Sequence, residues 1–576
     1  MRHLLQRLSP VIAIPALALA IGQPMVTNAV SPPANHRVTV DQGSAYVSAD
    51  VLGGTGTYSD ATLTRCGIDR RMQNEPTIAL DPRNAAVRTS GSNDYCTVPT
   101  NHDAWAGFYR STDSGTTWTD SLLPGYPLDT SSQGTSSPLH GMTQGGALAA
   151  GDPVQAWDGN GNLFYMGNNF NRGAQDGNSA SFRDNTGDVW VATYAPSNPS
   201  DNTTDGSKYV RTVILATNTF GQGSFNDKTG IGVDPSTGDV FAAWSDFHGK
   251  GCNEILMSRS TDHGATFSAP MKISDGLCTN QGPNFAFGPT GQVYVSWIAN
   301  NGGSKSQNAT VNGAAFARSL DSGRTFSKAA IVVPYSPFVS NVFSGNGARD
   351  CGDGSLACPS GFTFPRFDLA MPTLTTNGDD VDMAFQVATS SGQGQIQFTR
   401  SSNGGGSWST PTPIDVQSNG HQFFPWMASS GGKITVVYYD SRADTQYAAA
   451  RPPCNSATGV TSACLAVWSS TSTDGGTSWT HALVSSALTN PNLEQFGGRL
   501  VPFFGDYIMV SAVGNTIAAV WTDQRDAVTA PDPSGDADSD DVAGSPETGG
   551  TCTSSFSNCF DGTGGLDQNI YTAQLP

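Results

Sequence analysis

Residues 111–118 read STDSGTTW, and four later stretches repeat this order of serine, acid or amide, glycine, hydroxyl and aromatic side chains. The further copies are STDHGATF at 260–267, SLDSGRTF at 319–326, SSNGGGSW at 401–408 and STDGGTSW at 472–479. An Asp or Asn at the third position can accept hydrogen bonds from the backbone amides of a turn, and the glycine supplies a positive φ. Each copy of this motif, which we call the Asp box, therefore predicts a tight β-hairpin.

A second repeat precedes each hairpin. In each copy a first, apolar strand follows a polar residue and usually a proline. The chain then turns at Asp, Gly or Asn and forms a second strand, which often ends in Trp or Tyr followed by a polar residue. Seven such starts occur, near residues 75, 152, 227, 282, 365, 424 and 505. One unit therefore consists of two strands, a loop, a third strand, the hairpin turn and a fourth strand. Radial repetition of such a four-stranded unit is typical of a propeller.

We therefore predict an all-β chain that forms an Asp-box β-propeller with seven blades of four antiparallel strands. Six blades are the alternative if the first or last unit is incomplete. We expect a signal peptide at 1–29, an N-terminal segment at 30–74 with a ring-closing strand, and one propeller domain at 75–576. The hairpin of the second unit is expected around 188–195. The expected blades lie near 75–150, 151–226, 227–279, 280–363, 364–420, 421–494 and 495–576.

The composition agrees with an all-β secreted protein. The chain has 66 glycines and 34 prolines, and only 13% of its residues are charged, about half the usual share of roughly 25%. The net charge of −19 lacks the basic footprint that a nucleic acid or an anionic membrane would need. The apolar run at 11–21 follows basic residues and is too short to cross a bilayer. We expect an extracellular monomer without membrane insertion.

The ten cysteines form close couples along the chain, and an even number in an exported protein indicates disulfides. Zinc-type Cys-x-x-Cys spacing does not occur. The expected pairs are Cys66 with Cys96, Cys252 with Cys278, Cys351 with Cys358, Cys454 with Cys464, and Cys552 with Cys559.

We expect no metal site and no required cofactor. The segment 536–547 has the oxygen-ligand spacing of a calcium loop, but Asp541 stands where that loop requires glycine. A solvated acidic loop is the favoured interpretation, and structural calcium is the alternative.

The Asp-box hairpins resemble those of the sialidase superfamily and other BNR-repeat proteins over nearly the whole mature chain. The resemblance implies a carbohydrate or glycoconjugate ligand and glycoside hydrolysis of the exo-sialidase type. Family members hold the substrate carboxylate with three arginines, use a Tyr assisted by Glu as nucleophile, and use an Asp for acid/base work. The chain departs from the family at Asn74-Glu75-Pro76, where sialidases usually carry Arg-Ile-Pro.

The loops before the first strand and after the second strand of each blade open on one face, opposite the Asp boxes. The polar residues at these positions are the candidate site, because converging polar groups at a concave mouth are typical of binding sites. For catalysis we select Glu75, Asp152, Asp506 and Tyr507; for substrate binding Arg366, Arg442, Arg525, Asp440 and Asp523. The same ring contains Asp94, Asn169, Asp227, Asp246 and Asn300.

Two alternatives remain open at this point. Carboxylates at equivalent blade positions can instead accept hydrogen bonds from neighbouring backbone amides and hold the blades together. The pairs Asp440-Ser-Arg442 and Asp523-Gln-Arg525 can be local ion pairs. The alternative function is a non-catalytic extracellular binding or scaffold propeller.

Overall fold

Seven antiparallel four-stranded sheets follow one another along the chain. The structure, a computed structural model, describes residues 31–40, 43, 46–68, 72–97, 104–171, 186–217, 224–248, 252–300, 312–335, 371–449, 453–456, 459–491, 495–496, 501–502, 504–526 and 567–576. The predicted signal peptide, Arg366, the pairs Cys351–Cys358 and Cys552–Cys559, and the acidic segment 536–547 lie outside these residues.

The first three blades are meanders in which each strand pairs with its predecessor. Blade 1 consists of Gln73–Leu80, Arg88–Asp94, Trp105–Ser111 and Thr119–Leu122. Blade 2 consists of Ala149–Trp157, Leu163–Asn171, Thr186–Ala195 and Lys208–Ala216. Blade 3 consists of Ser224–Val233, Val240–His248, Glu254–Ser260 and Met271–Lys272.

Blades 4 to 6 repeat the meander. Blade 4 consists of Cys278–Phe287, Val293–Asn300, Asn312–Ser319 and Ala330–Pro334. Blade 5 consists of Thr373–Asn377, Asp380–Ala388, Gly394–Ser401 and Thr412–Pro413. Blade 6 consists of Gln422–Ser430, Lys433–Asp440, Ala466–Ser472 and Thr480–Leu483.

Blade 7 joins the two ends of the described chain. Its first three strands are Met509–Val513, Thr516–Asp523 and Asn569–Leu575, and its outer strand is Asn35–Arg37. The register pairs Asn35 with Ala573 and Arg37 with Tyr571. Strands from opposite ends of the sequence therefore share one sheet, so the ring is closed by backbone hydrogen bonds.

Blade 2 differs from the sequence-based expectation for its outer hairpin. Residues 188–195 do not form the turn, because they lie inside the third strand, Thr186–Ala195. The connection to the fourth strand spans 196–207 and contains the 3₁₀ helix Asn202–Thr204. This blade lacks the glycine and hydroxyl positions of the Asp box, so a longer loop replaces the tight turn.

The five Asp boxes all connect a third strand to a fourth strand. In blade 1 the Asp113 carboxylate accepts hydrogen bonds from the backbone amides of Thr116 at 3.0 Å and Thr117 at 2.9 Å, and from the Thr117 hydroxyl at 2.7 Å. The Ser111 hydroxyl accepts from the Gly115 amide at 2.9 Å. The Asp is therefore held by the turn it stabilises.

Equivalent donors act on the other Asp boxes. Hydroxyl and backbone donors lower the pKa of Asp262, Asp321 and Asp474 to about 2, with the Thr266 hydroxyl contributing most at Asp262. These carboxylates stay ionised at any physiological pH. Their role is that of turn acceptors, because charge-stabilising hydrogen bonds leave them no proton to donate.

The Asp-box glycine also sets the distance between blades. Gly323 and Gly405 have φ of +75° and +82°, and each packs against an aromatic ring of the preceding blade. A Cβ on Gly323 would lie 2.3 Å from Phe241, and one on Gly405 would lie 2.2 Å from Phe316. Glycine is thus required at this position for two reasons. Its backbone adopts the positive φ, and it has no side chain that would clash with the ring.

The core consists of the layers between adjacent blades. Five tryptophans are fully buried there, on the second or third strands: Trp105, Trp190, Trp244, Trp297 and Trp521. Large aromatic rings fill the wedge that opens between twisted blades, and each buries roughly 150–250 Å². Removing such a ring from a core typically costs about 3–5 kcal/mol.

The remaining described elements lie before the first blade, between blades, or between the second and third strands of blades 1 and 6. The described residues include four short helices, Ala49–Leu52, Ala61–Cys66, Ser132–Ser136 and Pro138–Gln144, and a 3₁₀ turn at Tyr95–Thr97. Short strand pairs join Asn455–Ser456 to Gly459–Val460 and Gln495–Phe496 to Val501–Pro502. Among the described helices, each is too short or too polar to cross a membrane.

Three of the five expected disulfides fall on described residues and are formed. They join Cys66 to Cys96, Cys252 to Cys278, and Cys454 to Cys464. Each closes a short loop beside a blade, as the spacing of the couples predicts.

The Asp-box glycines give a direct test of the packing between blades. We expect Gly405→Ala to cost about 1–3 kcal/mol more than Gly514→Ala, because both positions have positive φ but only Gly405 faces a ring at clashing distance. Urea denaturation of the two variants measures the difference. Equal losses would show that backbone conformation alone requires the glycine.

Candidate functional site

The inner strands of the blades begin with a bulge. The pairing register of the first two strands shifts where Glu75, Asp152, Lys228, Gly282 and Phe424 lie. These residues have φ of 54°, 50°, 45°, 72° and 53°. A left-handed conformation costs a non-glycine residue of order 1–3 kcal/mol and is common where a side chain must be aimed at a functional site.

Side chains of neighbouring blades hold several of these bulges in place. The Asp152 backbone amide donates to Asn93 Oδ1 at 2.9 Å, and the Gly282 amide donates to Ser245 Oγ at 3.1 Å. The Phe424 amide donates to Gln386 Oε1 at 3.1 Å. Each acceptor lies on the second strand of the preceding blade. These hydrogen bonds therefore link neighbouring blades and offset the free-energy cost of the left-handed backbone at each bulge.

The bulges of blades 1, 2 and 3 direct three ionisable side chains to one point. The ammonium group of Lys228 lies 2.9 Å from Asp506 Oδ2, 3.2 Å from Asp152 Oδ1, 3.8 Å from Glu75 Oε1 and 4.0 Å from Asp227 Oδ1. We call these five residues the Lys228 cluster. All except Asp227 are buried, and Asp227 is partly exposed. Four carboxyl groups thus share one cation.

Two asparagines complete the hydrogen bonding of the acids. Asn93 Nδ2 donates to Glu75 Oε2 at 3.1 Å, and Asn168 Nδ2 donates to Asp152 Oδ2 at 3.2 Å. Both asparagines lie on second strands, opposite the bulge of their own blade. A buried carboxylate needs such donors because it has lost its water.

The carboxyl groups of Asp152 and Asp227 influence each other and the Lys228 ammonium electrostatically, and burial dominates both of their pKa shifts. Burial raises the pKa of Asp152 to about 6, although the Lys228 ammonium opposes the rise. Burial likewise raises the pKa of Asp227 to about 7. A carboxylic acid that keeps its proton near neutral pH beside ionised carboxylates is the arrangement used in general acid catalysis.

Tyr507 borders the Lys228 cluster as a neutral phenol. Its hydroxyl donates to the Pro153 carbonyl oxygen at 3.2 Å. Burial and the adjacent carboxylates raise the pKa of Tyr507 well above its ordinary value. The phenol is therefore a hydrogen-bond donor here, and its environment disfavours the phenolate that a nucleophile would use.

The cluster lies at one end of a central channel of about 300 Å³. Residues of the inner strand of every blade line this channel, among them Ile78, Val154, Ile231, Phe285, Leu374, Trp426 and Met509. A smaller adjoining cavity shares Val154, Trp426 and Met509 with the channel and is also lined by Lys228 and Tyr507. The site thus forms where the inner strands of blades 1, 2, 3 and 7 begin.

Arg442 lies in a local ion-pair network. Its Nη2 contacts Asp415 Oδ2 at 2.6 Å and Asp440 Oδ2 at 2.7 Å, and the guanidinium carbon lies 3.6 Å above the Trp468 ring. The Asp440 carboxylate also accepts from the Arg442 backbone amide at 2.7 Å. Arg442 and Asp440 therefore satisfy each other.

Arg525 repeats this arrangement in blade 7. Its Nη2 contacts Asp523 Oδ2 at 2.7 Å, and its guanidinium carbon lies 4.3 Å above the Tyr571 ring. The Trp521 indole also donates to Asp523, at 2.8 Å. Of the site residues selected from the sequence, the structure brings together Glu75, Asp152, Asp506 and Tyr507. Arg442, Arg525, Asp440 and Asp523 have the local partners that the alternative interpretation expects, and Arg366 lies outside the described residues.

Sequence reasoning missed Lys228, Asn93 and Asn168. The sequence repeat aligns Asp227 with Glu75 and Asp152. In the structure the next residue, Lys228, occupies the equivalent position. Aligning Lys228-Thr229 with Glu75-Pro76 and Asp152-Pro153 would have placed it. Within the described ranges, no group of three or more His, Cys, Asp or Glu side chains could hold a metal ion. Lys228 takes the position between the carboxylates that a cation would occupy.

Comparisons with known proteins find only distant structural similarity. No family model matches the chain, and no curated protein sequence matches it. Similar solved structures include a Hadza microbial sialidase, 11% identical with a TM-score of 0.39 over 76% of this chain and 70% of that one. The Trypanosoma rangeli sialidase in complex with the inhibitor DANA is 13% identical, with a TM-score of 0.39 over 71% and 58%.

An ulvan lyase is 12% identical, with a TM-score of 0.40 over 78% of this chain and 91% of its own. The chain spans less than two thirds of the T. rangeli sialidase. Sialidases and other carbohydrate-active β-propellers are thus among its structural neighbours, at a level of similarity that says nothing of the reaction.

Removing the central cation should weaken the whole ring. We expect Lys228→Met to cost about 3–5 kcal/mol of unfolding free energy, because it leaves buried carboxylates without their counter-charge. The control is Lys272→Met, whose ion pair with Glu254 has a lysine side chain 36% exposed and should contribute about 1 kcal/mol or less. Chemical denaturation measures both. A loss at Lys228 no larger than that at Lys272 would contradict a central role.

The raised pKa of Asp227 predicts how the stability of the protein depends on pH. The folded-state pKa of Asp227 is about 7, whereas an unfolded Asp titrates near 3.9. Between these two pH values the folded state therefore holds a proton on Asp227 that the unfolded state has lost. The stability that the raised pKa contributes is complete below pH ~4 and is lost as the pH rises through 7. Asp227→Asn should therefore gain about 2–4 kcal/mol relative to the native protein between pH 5 and pH 8.

Denaturation curves at several pH values measure this gain. The exposed substitution Asp275→Asn is the control and should follow the native curve. A constant difference between Asp227→Asn and the native protein would mean that Asp227 is already ionised at pH 5.

Proposed function

We propose that this protein is an extracellular, glycan-directed propeller that hydrolyses glycosidic bonds at the Lys228 cluster. The observation that carries the proposal is the convergence of the carboxyl groups of Glu75, Asp152, Asp227 and Asp506 within 4.0 Å of Lys228, where Asp227 is partly exposed and burial raises its pKa to about 7. Glycoside hydrolysis uses one carboxylic acid and one carboxylate. The resemblance of the Asp boxes to those of sialidase-type propellers, and the three disulfides, support the glycan-directed and extracellular parts of the proposal.

In the proposed reaction Asp227 protonates the glycosidic oxygen as the bond between this oxygen and the anomeric carbon breaks. Water supplies the hydroxyl that joins the anomeric carbon, and a carboxylate of the cluster, Glu75 or Asp506, takes the proton of that water. The proton that this carboxylate takes up is released to solvent, and the partly exposed Asp227 takes up a proton from solvent to complete the cycle. The sum is one water consumed and one glycosidic bond broken, with no other reactant.

The charge of the site indicates the substrate class. The cluster has four carboxyl groups against one ammonium, and Arg442 and Arg525 are already neutralised by aspartates. A sugar with its own carboxylate would be repelled there, since like charges in a buried site interact strongly. We therefore propose uncharged glycosides as substrates, and exo-sialidase activity is the narrower hypothesis that the arginine geometry disfavours.

The test is a panel of fluorogenic glycosides, neutral sugars and a sialoside, assayed with the native protein and with Asp227→Asn. We expect release from a neutral glycoside, loss of about 10²–10⁴-fold in kcat with Asp227→Asn, and little change with Asp275→Asn. The rate should fall as the pH rises through about 7, where Asp227 loses its proton.

Release from the sialoside alone would support the sialidase hypothesis and overturn the substrate class proposed above. If no glycoside is cleaved while a glycan array retains a ligand, the non-catalytic binding propeller is correct. Retention of full activity by Asp227→Asn would reject Asp227 as the acid.

A further inference from the structure

We propose that the central channel is a binding site for one uncharged sugar ring, and that Trp426 is the surface on which this ring packs. The inference rests on the proposed function, because the channel adjoins the Lys228 cluster and would hold one sugar of a neutral glycoside. Binding of a sugar in the channel can be measured without any turnover.

The channel has room for a single ring. Its volume of about 300 Å³ is at the lower end of the ~300–1,000 Å³ that is usual for ligand pockets. An apolar cavity of ~150 Å³ already takes up a benzene ring. A space about twice as large therefore accommodates one sugar ring with its hydroxyl groups but not a length of polysaccharide.

The channel wall is uncharged over the described residues. All the described side chains that line it are neutral, although the chain as a whole has a net charge of −19. Apolar side chains such as those of Ile231, Leu374 and Met509 form much of this lining. An ionised ligand would lose its water here without gaining a counter-charge, which costs free energy. The wall therefore favours an uncharged ligand.

The channel wall also offers hydrogen-bonding groups of the backbone. The first strand of each of the seven blades lies at the edge of its sheet, and these first strands surround the channel. Alternate residues of an antiparallel edge strand direct their N–H and C=O groups away from the sheet. The wall is therefore apolar in its side chains and polar along its strand edges.

Neighbouring first strands satisfy some of these backbone groups. The Leu80 amide donates to Ser511 Oγ at 3.3 Å, and the Leu374 amide donates to Asn284 Oδ1 at 2.7 Å. A backbone group that has no protein partner needs water or the polar group of a ligand. A ligand that fills the channel must therefore replace the hydrogen bonds of the water that it displaces.

A neutral sugar has both properties that this wall requires. Its hydroxyl groups donate and accept hydrogen bonds around the edge of the ring, and its C–H groups form apolar faces. An aromatic hydrocarbon would leave backbone groups unsatisfied, and a sugar acid would bring an unpaired charge. The channel therefore suits an uncharged sugar better than either of these ligands.

Trp426 gives the channel a flat aromatic surface. It lies on the first strand of blade 6, is partly exposed, and lines both the channel and the small cavity that Lys228 and Tyr507 also line. The Trp426 and Tyr507 rings are 6.2 Å apart between centroids and inclined at 43°. The negative face of an indole attracts the C–H groups of a sugar face. A ring that packs on Trp426 thus lies at the end of the channel that adjoins the Lys228 cluster.

The other aromatic side chains of the channel wall have protein contacts that hold them. Trp157 is 8% exposed and donates from Nε1 to the Ala79 carbonyl oxygen at 3.2 Å. The Phe285 ring stacks on Phe287, with centroids 6.1 Å apart. Trp426 is the aromatic side chain of the wall that also lines the cavity beside Lys228.

The experiment compares probes of equal ring size on the native protein. Methyl glucoside is uncharged, and methyl glucuronide has a carboxylate in place of the hydroxymethyl group. Methyl galactoside and methyl mannoside vary the stereochemistry of the hydroxyl groups. Saturation-transfer NMR detects binding, and titration gives the Kd of each probe.

We expect a neutral methyl glycoside to bind and the glucuronide to bind more weakly by about tenfold or more. Trp426→Ala should weaken binding of the neutral sugar by about tenfold, and Trp426→Phe should weaken it less because a smaller ring remains. The matched control is Trp479→Ala, which removes the partly exposed indole of the blade 6 Asp box and should leave the Kd unchanged.

Equal binding of the uncharged and charged probes would overturn the proposal. The same holds if none of the neutral glycosides binds, or if a folded Trp426→Ala variant keeps the native affinity. The comparison of probes needs only native protein, so it decides the proposal even if Trp426→Ala does not fold.

The proposed function and the channel site can fail separately. Sugar binding that depends on Trp426, without turnover of any glycoside, would keep the channel site and reject the proposed function. Turnover whose KM and kcat are both unchanged in Trp426→Ala would keep the proposed function and reject the channel site. If both proposals are correct, Trp426→Ala raises the KM for a neutral glycoside.

Discussion

Four carboxyl groups depend on the single ammonium of Lys228, and this contact lies where the inner strands of blades 1, 2, 3 and 7 begin. Charges buried in this way are tolerated only when paired and hydrogen-bonded, since desolvation of each ion costs several kcal/mol. The cluster meets this condition through Lys228, Asn93 and Asn168. The left-handed backbone at Glu75, Asp152 and Lys228 belongs to a bulge that blades 4 and 6 share, and in blades 1, 2 and 3 it places the three charged side chains beside one another.

The two polar repeats of the chain use the same residue type for opposite purposes. In the Asp boxes, backbone amides and hydroxyls surround the aspartates and hold the pKa of Asp321 at about 2. In the Lys228 cluster, burial and neighbouring carboxylates raise the pKa of Asp227 to about 7. Hydrogen-bond donors favour the anion and desolvation disfavours it, so position in the blade decides whether an aspartate is a turn acceptor or a proton donor.

The arginines show why spacing alone is a weak guide to a binding site. Arg442 and Arg525 occupy equivalent positions in neighbouring blades, two residues after an aspartate and close to an aromatic ring of the third strand. The repetition suggested an anion clamp, but it reflects repeated local packing. A guanidinium that stacks on a ring and pairs with an aspartate stabilises its own loop and has less capacity for a ligand.

The sequence alone predicted the favoured seven blades, the five Asp-box turns and the three described disulfides, because these follow from periodicity, local hydrogen bonding and short loop closure. It also indicated that Glu75, Asp152 and Asp506 belong to one face, since equivalent strand starts meet there. Only the tertiary structure decided that Lys228 joins them, that Asp227 lies within 4.0 Å of its ammonium, and that Arg442 and Arg525 bind local aspartates. Those outcomes depend on distances of about 3–4 Å between blades that are distant in the chain. A one-residue shift at the bulge exchanges Asp227 for Lys228 at the centre of the ring, and no local pattern fixes that shift.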